Sequence, residues 1–323
     1  MTQTAELTDV RSGCAIQWLH SLDEIRAIEG EWESLVSRVE WPSAFSGFDW
    51  AVTWWEHFGA GAKLAVLTVR DADGELIGIA PFYIARTLRS VGLRRLGFIG
   101  DRSVGSDYLR VIADRERWQG VASAVAGALT QKRPAWDYVE FRDSACDDVN
   151  GAIAGLLEDR VRGVSFAEGA TCRYIPLPQS FEEYLSSISC NLRGNFRRRV
   201  RNLKKNRDVR FECLVDGEAF AESYETLVHL HANRFLRRAE ASAFTGNGEV
   251  ESFHRDVSRR LAARGVARLF RLNVDGATVG ALYGFHLGSR FQFFQCGMHP
   301  EWMEHGVGQI TVGLSIQGAI EMG

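Results

Sequence analysis

The sequence lacks what a metal site, a disulfide framework or a membrane span would need. Its six cysteines, at 14, 146, 172, 190, 213 and 296, form no Cys-x-x-Cys pair and no Cys/His cluster with metal-ligand spacing. They read as reduced, mostly buried thiols, and no metal is expected. No uncharged apolar run is long enough to cross a bilayer. The N-terminal stretch MTQTAELTDVRSGCAIQW carries acidic residues and no apolar signal core. A net charge of −3 at pH 7 gives no global pull toward nucleic acid or anionic membrane. These absences predict a soluble cytoplasmic protein whose function lies in local sites.

What is present is ample apolar material. The chain has 323 residues, 46% of them hydrophobic, which favours two domains over one. Ser21, with Glu24 three residues on, is a capping box that predicts a helix from about Asp23 to Val36. Trp50, Trp54, Trp55 and Phe58 fall at helical spacing and predict a helix over about 49–58 with a core face. In LAVLTVRDADGELIGIAPFYIA, residues 64–85, two β-rich runs flank a turn at Asp71–Gly74. Strand-like runs follow at Arg95–Ile99, Tyr108–Ile112 and Trp136–Arg142, with a helix from about Arg117 to Leu129.

The second half repeats this plan. ARLFRLNVDGATVGALYGFHL, residues 267–287, is again two β-runs around an Asp-Gly turn, and Asp73, Gly74 and Gly78 match Asp275, Gly276 and Gly280 at a constant offset of 202. That order of elements predicts a duplicated fold. The boundary is expected near Gly163–Thr171, giving domains 1–168 and 169–323, with Arg173–Leu177 as a linking or exchanged strand.

Residues 189–210, SCNLRGNFRRRVRNLKKNRDVR, hold nine basic residues and one acid. Leu192, Phe196, Val200 and Leu203 mark one apolar helix face. Arg193, Arg197, Arg201 and Lys205 step by four beside it. Like charges at that spacing repel. The stripe therefore meets an anionic substrate group, is neutralised by acids from elsewhere, or is a solvated face. No interleaved aromatics mark it for nucleic-acid bases.

The most informative stretch is HPEWMEHGVGQITVG, residues 299–313. The strand-like run SRFQFFQCGM precedes it, and Ile310, Leu314 and Ile320 can line a helix starting near Gly308. A glycine-lined helix start leaves unpaired N–H groups and the positive end of the helix dipole facing the loop. It is neither a Walker A loop nor a Rossmann fingerprint, since no Gly-Lys-Ser/Thr follows and Thr311 stands where the third glycine belongs.

The spacing resembles the acyl-CoA-binding motif of the GNAT acetyltransferase superfamily. That motif runs hydrophobic-x-Pro, two residues, Gln or Arg, two residues, then Gly-x-Gly/Ala. Met298, Pro300, Gly306 and Gly308 take their places, and Met303 stands where Gln or Arg is usual. FDWAVTWWEHFG, GELIGIAPFYI and SDYLRV in the first half, with FEEYLSSISCNLRGNFRRRVRNLKK and VGALYGFHL in the second, resemble the tandem-GNAT branch of CelD-like or BioF2-like acetyltransferases, related to the FemAB peptidyltransferases.

The resemblance implies an α/β (α+β) protein with two tandem GNAT-like domains, each a mixed, mostly antiparallel sheet flanked by helices. Acyl-CoA, acetyl-CoA above all, is expected only in the second. Gly297 and Met298 would line its acyl end, and Gly306, Val307, Gly308 and Gln309 would offer N–H groups to its pyrophosphate, with His305 beside them. The acceptor would be a small molecule or sugar of the cell envelope or an exopolysaccharide, acylated directly on N or O. Arg193, Arg197, Arg201 and Lys205 are the candidate anion contacts. His299, His286 and Gln295 are candidates for proton transfer or substrate orientation. Members of this branch continue past the helix after the glycine loop, so the second domain is expected to lack their last strands. Two other readings stay open: a FemAB-type aminoacyltransferase using aminoacyl-tRNA, and a non-catalytic binding protein that kept the fold.

Overall fold

The computed structural model describes residues 7–9, 13–86, 92–101, 104–131, 136–144, 149–238, 244 and 247–323; Cys146 lies outside them. The chain divides into two units, 1–171 and 172–323, each with its own sheet.

The first unit opens with β1 (Leu7–Asp9) and β2 (Cys14–Leu19). The capping box forms: Glu24 N–H donates to the Ser21 hydroxyl at 3.3 Å, and Ser21 N–H donates to the Glu24 carboxylate at 2.9 Å. The single helix expected there is two, α1 (Leu22–Ala27) and α2 (Glu29–Arg38), because Ile28 leaves helical geometry between them. α3 (Phe48–Phe58) buries Trp50 and Trp54 completely, so its aromatic stripe is core.

The predicted hairpin is β3 (Lys63–Arg70) and β4 (Leu76–Arg86). The Asp71 carboxylate closes its turn by accepting the N–H groups of Asp73 and Glu75. β5 (Arg94–Phe98), β6 (Ile112–Ala113), α4 (Trp118–Thr130), β7 (Tyr138–Val139) and α5 (Val149–Leu157) complete the unit. The sheet order is β1-β2-β3-β4-β5-β7, with β6 also on β4; β5 and β7 run parallel and the other pairs antiparallel. The strand expected over Tyr108–Ile112 shrinks to β6, because Tyr108 has a left-handed φ of 57° that no strand accommodates.

No strand forms at Arg173–Leu177. The segment has no regular structure, and Tyr174, Ile175 and Leu177 are exposed. Among the described residues, the second unit's sheet takes in the four strands named below and not this segment.

The second unit begins with α6 (Phe181–Ser187) and the basic helix α7 (Cys190–Lys204). β8 (Val209–Leu214), α8 (Gly217–Arg238), α9 (Gly248–Ala263), β9 (Ala267–Val274), β10 (Ala277–Leu287), β11 (Arg290–Met298) and α10 (Val307–Met322) follow. The sheet is antiparallel throughout, in the order β11-β10-β9-β8. On one face Leu203 of α7 and Val307 and Ile310 of α10 form a dry cluster with Leu272, Val274 and Val279. On the other, Phe220 and Tyr224 of α8, with Phe244, edge against Tyr283 and Phe294. Among the described residues no helix is long and apolar enough to cross a membrane.

The two hairpins share a detail that pattern alone does not predict. Each second strand carries one unpaired, bulged residue, Ile77 in β4 and Val279 in β10. The next residue is glycine in both, and in both a helix crosses it closely. A Cβ on Gly78 would lie 2.5 Å from Val121 Cγ1 of α4; one on Gly280 would strike Thr311 Oγ1 of α10.

Candidate functional site

β11 sits at the edge of its sheet, with β10 on one side and no strand on the other among the described residues. His299 N–H donates to Val279 O at 2.9 Å. In an antiparallel ladder successive residues bond to opposite sides. Gly297 therefore bonds inward to β10, while Met298 and Cys296 turn their backbone groups to the open edge. The outward Cys296 carbonyl lies 3.1 Å from Nδ1 of His231, a buried residue of α8. Met298 N–H stays on the open edge.

The edge strand leads into a short 3-10 helix, Pro300–His305, and then α10. Gly306 joins them with φ 70° and ψ 30°, left-handed geometry that only glycine adopts at little cost. It caps α10 without a side chain, and the first turn has no acidic residue. The helix's own ladder starts with Ile310 N–H donating to Gly306 O at 3.1 Å. The N–H groups of Val307, Gly308 and Gln309 thus stand at the positive end of the helix dipole. A Cβ on Gly308 would lie 3.0 Å from Met298 Sδ. The hydrophobic and second-glycine positions of the motif therefore touch. Glycine is needed at 306 for backbone geometry and at 308 for space.

The candidates named from the sequence divide between this corner and elsewhere. Gly297, Met298, His299, Gly306, Val307, Gly308 and Gln309 gather at the C-terminal end of β11 and the start of α10. His305 is exposed at the end of the 3-10 helix, its ring 5.4 Å from that of Trp302. Gln295 is on β11, opposite Tyr283. His299 has its Nδ1 buried with no hydrogen-bond partner.

His286 is at the other end of the sheet. It pairs with Phe291, and Met298 is seven positions further along the extended strand, about 23 Å at 3.3 Å per residue. Burial, then the charge of Arg268, lowers its pKa below the ordinary histidine value.

The basic stripe also divides. An Arg193 guanidinium N–H donates to Leu185 O at 3.1 Å, and Arg197 pairs with Glu182 at 2.6 Å. Lys205 caps α7 in extended geometry instead of continuing it, and Arg201 and Lys205 face solvent. Leu192, expected on the apolar face, is 58% exposed; Phe196, Val200 and Leu203 carry the packing. Two arginines outside the stripe come to the glycine corner: Arg199 lies against Gly306, and Arg207 stacks over Trp302. The signal for Arg199 was its place one turn from both Phe196 and Leu203, beside the buried face.

Comparisons with known proteins agree with this construction. Residues 191–323 match a family model described as an acetyltransferase (GNAT) domain. A crystal structure of FemX superposes with a TM-score of 0.63 at 12% identity, covering 91% of this chain and 85% of that one. L-PGS from Bacillus licheniformis has a TM-score of 0.46 at 12% identity, covering 91% and 73%. A tandem GNAT protein from the clavulanic acid biosynthesis pathway, solved without AcCoA, has a TM-score of 0.39 at 10% identity, covering 95% and 86%. No curated protein matches the sequence. The chain is a mixed α/β protein of two units, and the part that matches the GNAT model, residues 191–323, contains the edge strand, the glycine corner and α10.

Proposed function

We propose that this protein is an acyltransferase that takes an acyl group, acetyl in the simplest case, from acyl-CoA and passes it directly to an amine or hydroxyl. The carrying observation is the corner where an open strand edge runs into a helix start with no side-chain cap. An amide-rich pantetheine arm needs backbone partners along an extended edge, and Met298 N–H faces that edge. A pyrophosphate needs converging N–H groups, and Val307, Gly308 and Gln309 place theirs at the start of α10. The thioester supplies an activated acyl carbon.

The chain's own task is to position the acceptor and take its proton. His299 follows directly on the edge strand, and its buried Nδ1 has no other partner. We assign it as the proton acceptor, directly or through one water. Gln295, on the same strand, orients the acceptor. His286 is too distant to share that task. The acceptor fits a cytoplasmic sugar or other small precursor of the cell envelope or an exopolysaccharide, as in the proteins the sequence resembles.

The fold likeness to FemX supports a second reading, FemAB-type transfer from aminoacyl-tRNA. Exposed Arg201 and Lys205 would then meet tRNA phosphates.

Thermal melting with acetyl-CoA, CoA or aminoacyl-tRNA separates the two, because a ligand that binds only the folded form raises the melting temperature. The acyl-CoA reading predicts a rise with CoA that Gly308→Asp abolishes. An aspartate at a helix start suits the dipole but repels phosphate. A rise with aminoacyl-tRNA alone would favour the second reading.

A further inference from the structure

α7 lies outside the GNAT sheet and precedes β8. Its Phe196 fills the space beside Gly313 of α10, where an added Cβ would strike the ring. Its Leu203 joins Val307 and Ile310 in the core. Arg199, between these contacts, is held with its guanidinium on Gly306: a Cβ there would lie 2.6 Å from Arg199 Cζ. Arg207, in the turn after α7, sets its guanidinium carbon 4.6 Å from the Trp302 ring centre.

Both arginines carry an unmade hydrogen bond. Arg199 Nε and Arg207 Nη1 are buried without a partner, and no carboxylate among the described residues pairs with either side chain. Two guanidinium groups therefore converge on the segment from Trp302 to Gly306, where the positive end of α10 also points. A buried donor on a cation costs free energy when left unpaired, and like charges brought together cost more. Such a cluster is stable with an anion in its midst. Guanidinium forks suit phosphate oxygens.

We propose that Arg199 and Arg207 are phosphate-binding residues that clamp a pyrophosphate against the start of α10. They supply the side-chain charge that Met303 cannot. Two cations with a helix end match the two negative charges of a pyrophosphate diester. The ligand's identity as CoA rests on the acyl-CoA reading; the anion site does not.

The test is calorimetric titration of the full chain with CoA, inorganic pyrophosphate and phosphate-free pantetheine. Arg199→Met and Arg207→Met should each weaken CoA and pyrophosphate binding by roughly tenfold or more, the worth of a charged hydrogen bond, and leave pantetheine binding unchanged. Arg199→Lys should retain part of the affinity. The ligand-free melting temperature of Arg199→Met should equal or exceed that of the parent, because a buried N–H donor without a partner has been removed; this separates lost binding from lost folding. CoA affinity within twofold of the parent in both methionine variants overturns the clamp and leaves the acyl-CoA reading intact. Pyrophosphate bound by the parent and lost in Arg199→Met, with no CoA binding, upholds the clamp and sinks the acyl-CoA reading. No binding of either anion overturns the clamp.

Discussion

Ile77 and Val279 are one structural position occurring twice. Each is the unpaired residue of a bulge in the second strand of its hairpin, at the 202-residue offset that relates Gly78 to Gly280. In both units the bulge and the glycine after it seat a crossing helix, α4 on Gly78 and α10 on Gly280. A turn motif can recur by chance. A turn, a bulge, a glycine and a helix seat in one order mark a repeated unit.

The helix seats predict the cost of filling them. Gly78→Ala should destabilise its unit by roughly 1–3 kcal/mol, because Val121 is stiff and cannot turn aside. Gly280→Ala should cost less. Thr311 can rotate, although its hydroxyl then loses the 2.8 Å bond it donates to Val307 O. Urea unfolding of Gly280→Ala with Thr311→Ala should recover part of the loss. A double variant no better than Gly280→Ala would show that the backbone, not Thr311, sets the fit.

Two buried tyrosines should respond oppositely to loss of the hydroxyl. Tyr83 donates to Asp101 at 2.7 Å and is bonded by Arg95. Tyr283 Oη is buried with no partner, and burial pushes its pKa well up. Tyr83→Phe should cost about 1–3 kcal/mol, since it strands buried partners; Tyr283→Phe should be neutral or stabilising by up to about 1 kcal/mol. Denaturant midpoints of the two variants give the comparison.

Asp114 gives the first unit an acid-sensitive point. Burial alone would raise its pKa. Hydrogen bonds from Arg117, the Glu116 N–H and Arg38 outweigh burial and lower it from 3.8 to about 2. A depressed folded pKa gives stability that is fully present above the unfolded value and lost as pH falls through the folded one. The contribution, of order 2 kcal/mol, should fade between about pH 4 and pH 2. Asp114→Asn should lower stability at pH 7 and flatten the acid slope in that window. An unchanged slope would place the acid sensitivity elsewhere.

Much of this was legible in the sequence, for identifiable reasons. The hairpins declare themselves because Asp-Gly turns sit between alternating runs. The glycine corner declares itself because strand, loop and helix are adjacent in the chain. Tyr108 does not, since nothing local requires its left-handed backbone. Arg173–Leu177 has strand composition but joins no sheet among the described residues, and pairing is a tertiary event. His231 meets Cys296 across 65 residues. Arg199 was hidden among three consecutive arginines because a charge stripe traces one face of α7, while its long side chain follows the apolar face beside it.

The histidine assignment is open to kinetics. His299→Ala should lower kcat about 10²- to 10⁴-fold, the usual worth of a general base. His286→Ala should leave kcat within a few fold. Equal losses in both variants would refute a base at 299.

The most direct test of the central claim is amide hydrogen exchange with and without CoA. Slowed exchange is predicted at Met298 on the open edge and at Val307, Gly308 and Gln309 at the start of α10. The opposite edge strand, β8 (Val209–Leu214), should be unchanged. Unaltered exchange at 298 and 307–309 under saturating CoA would contradict a carrier site at this corner.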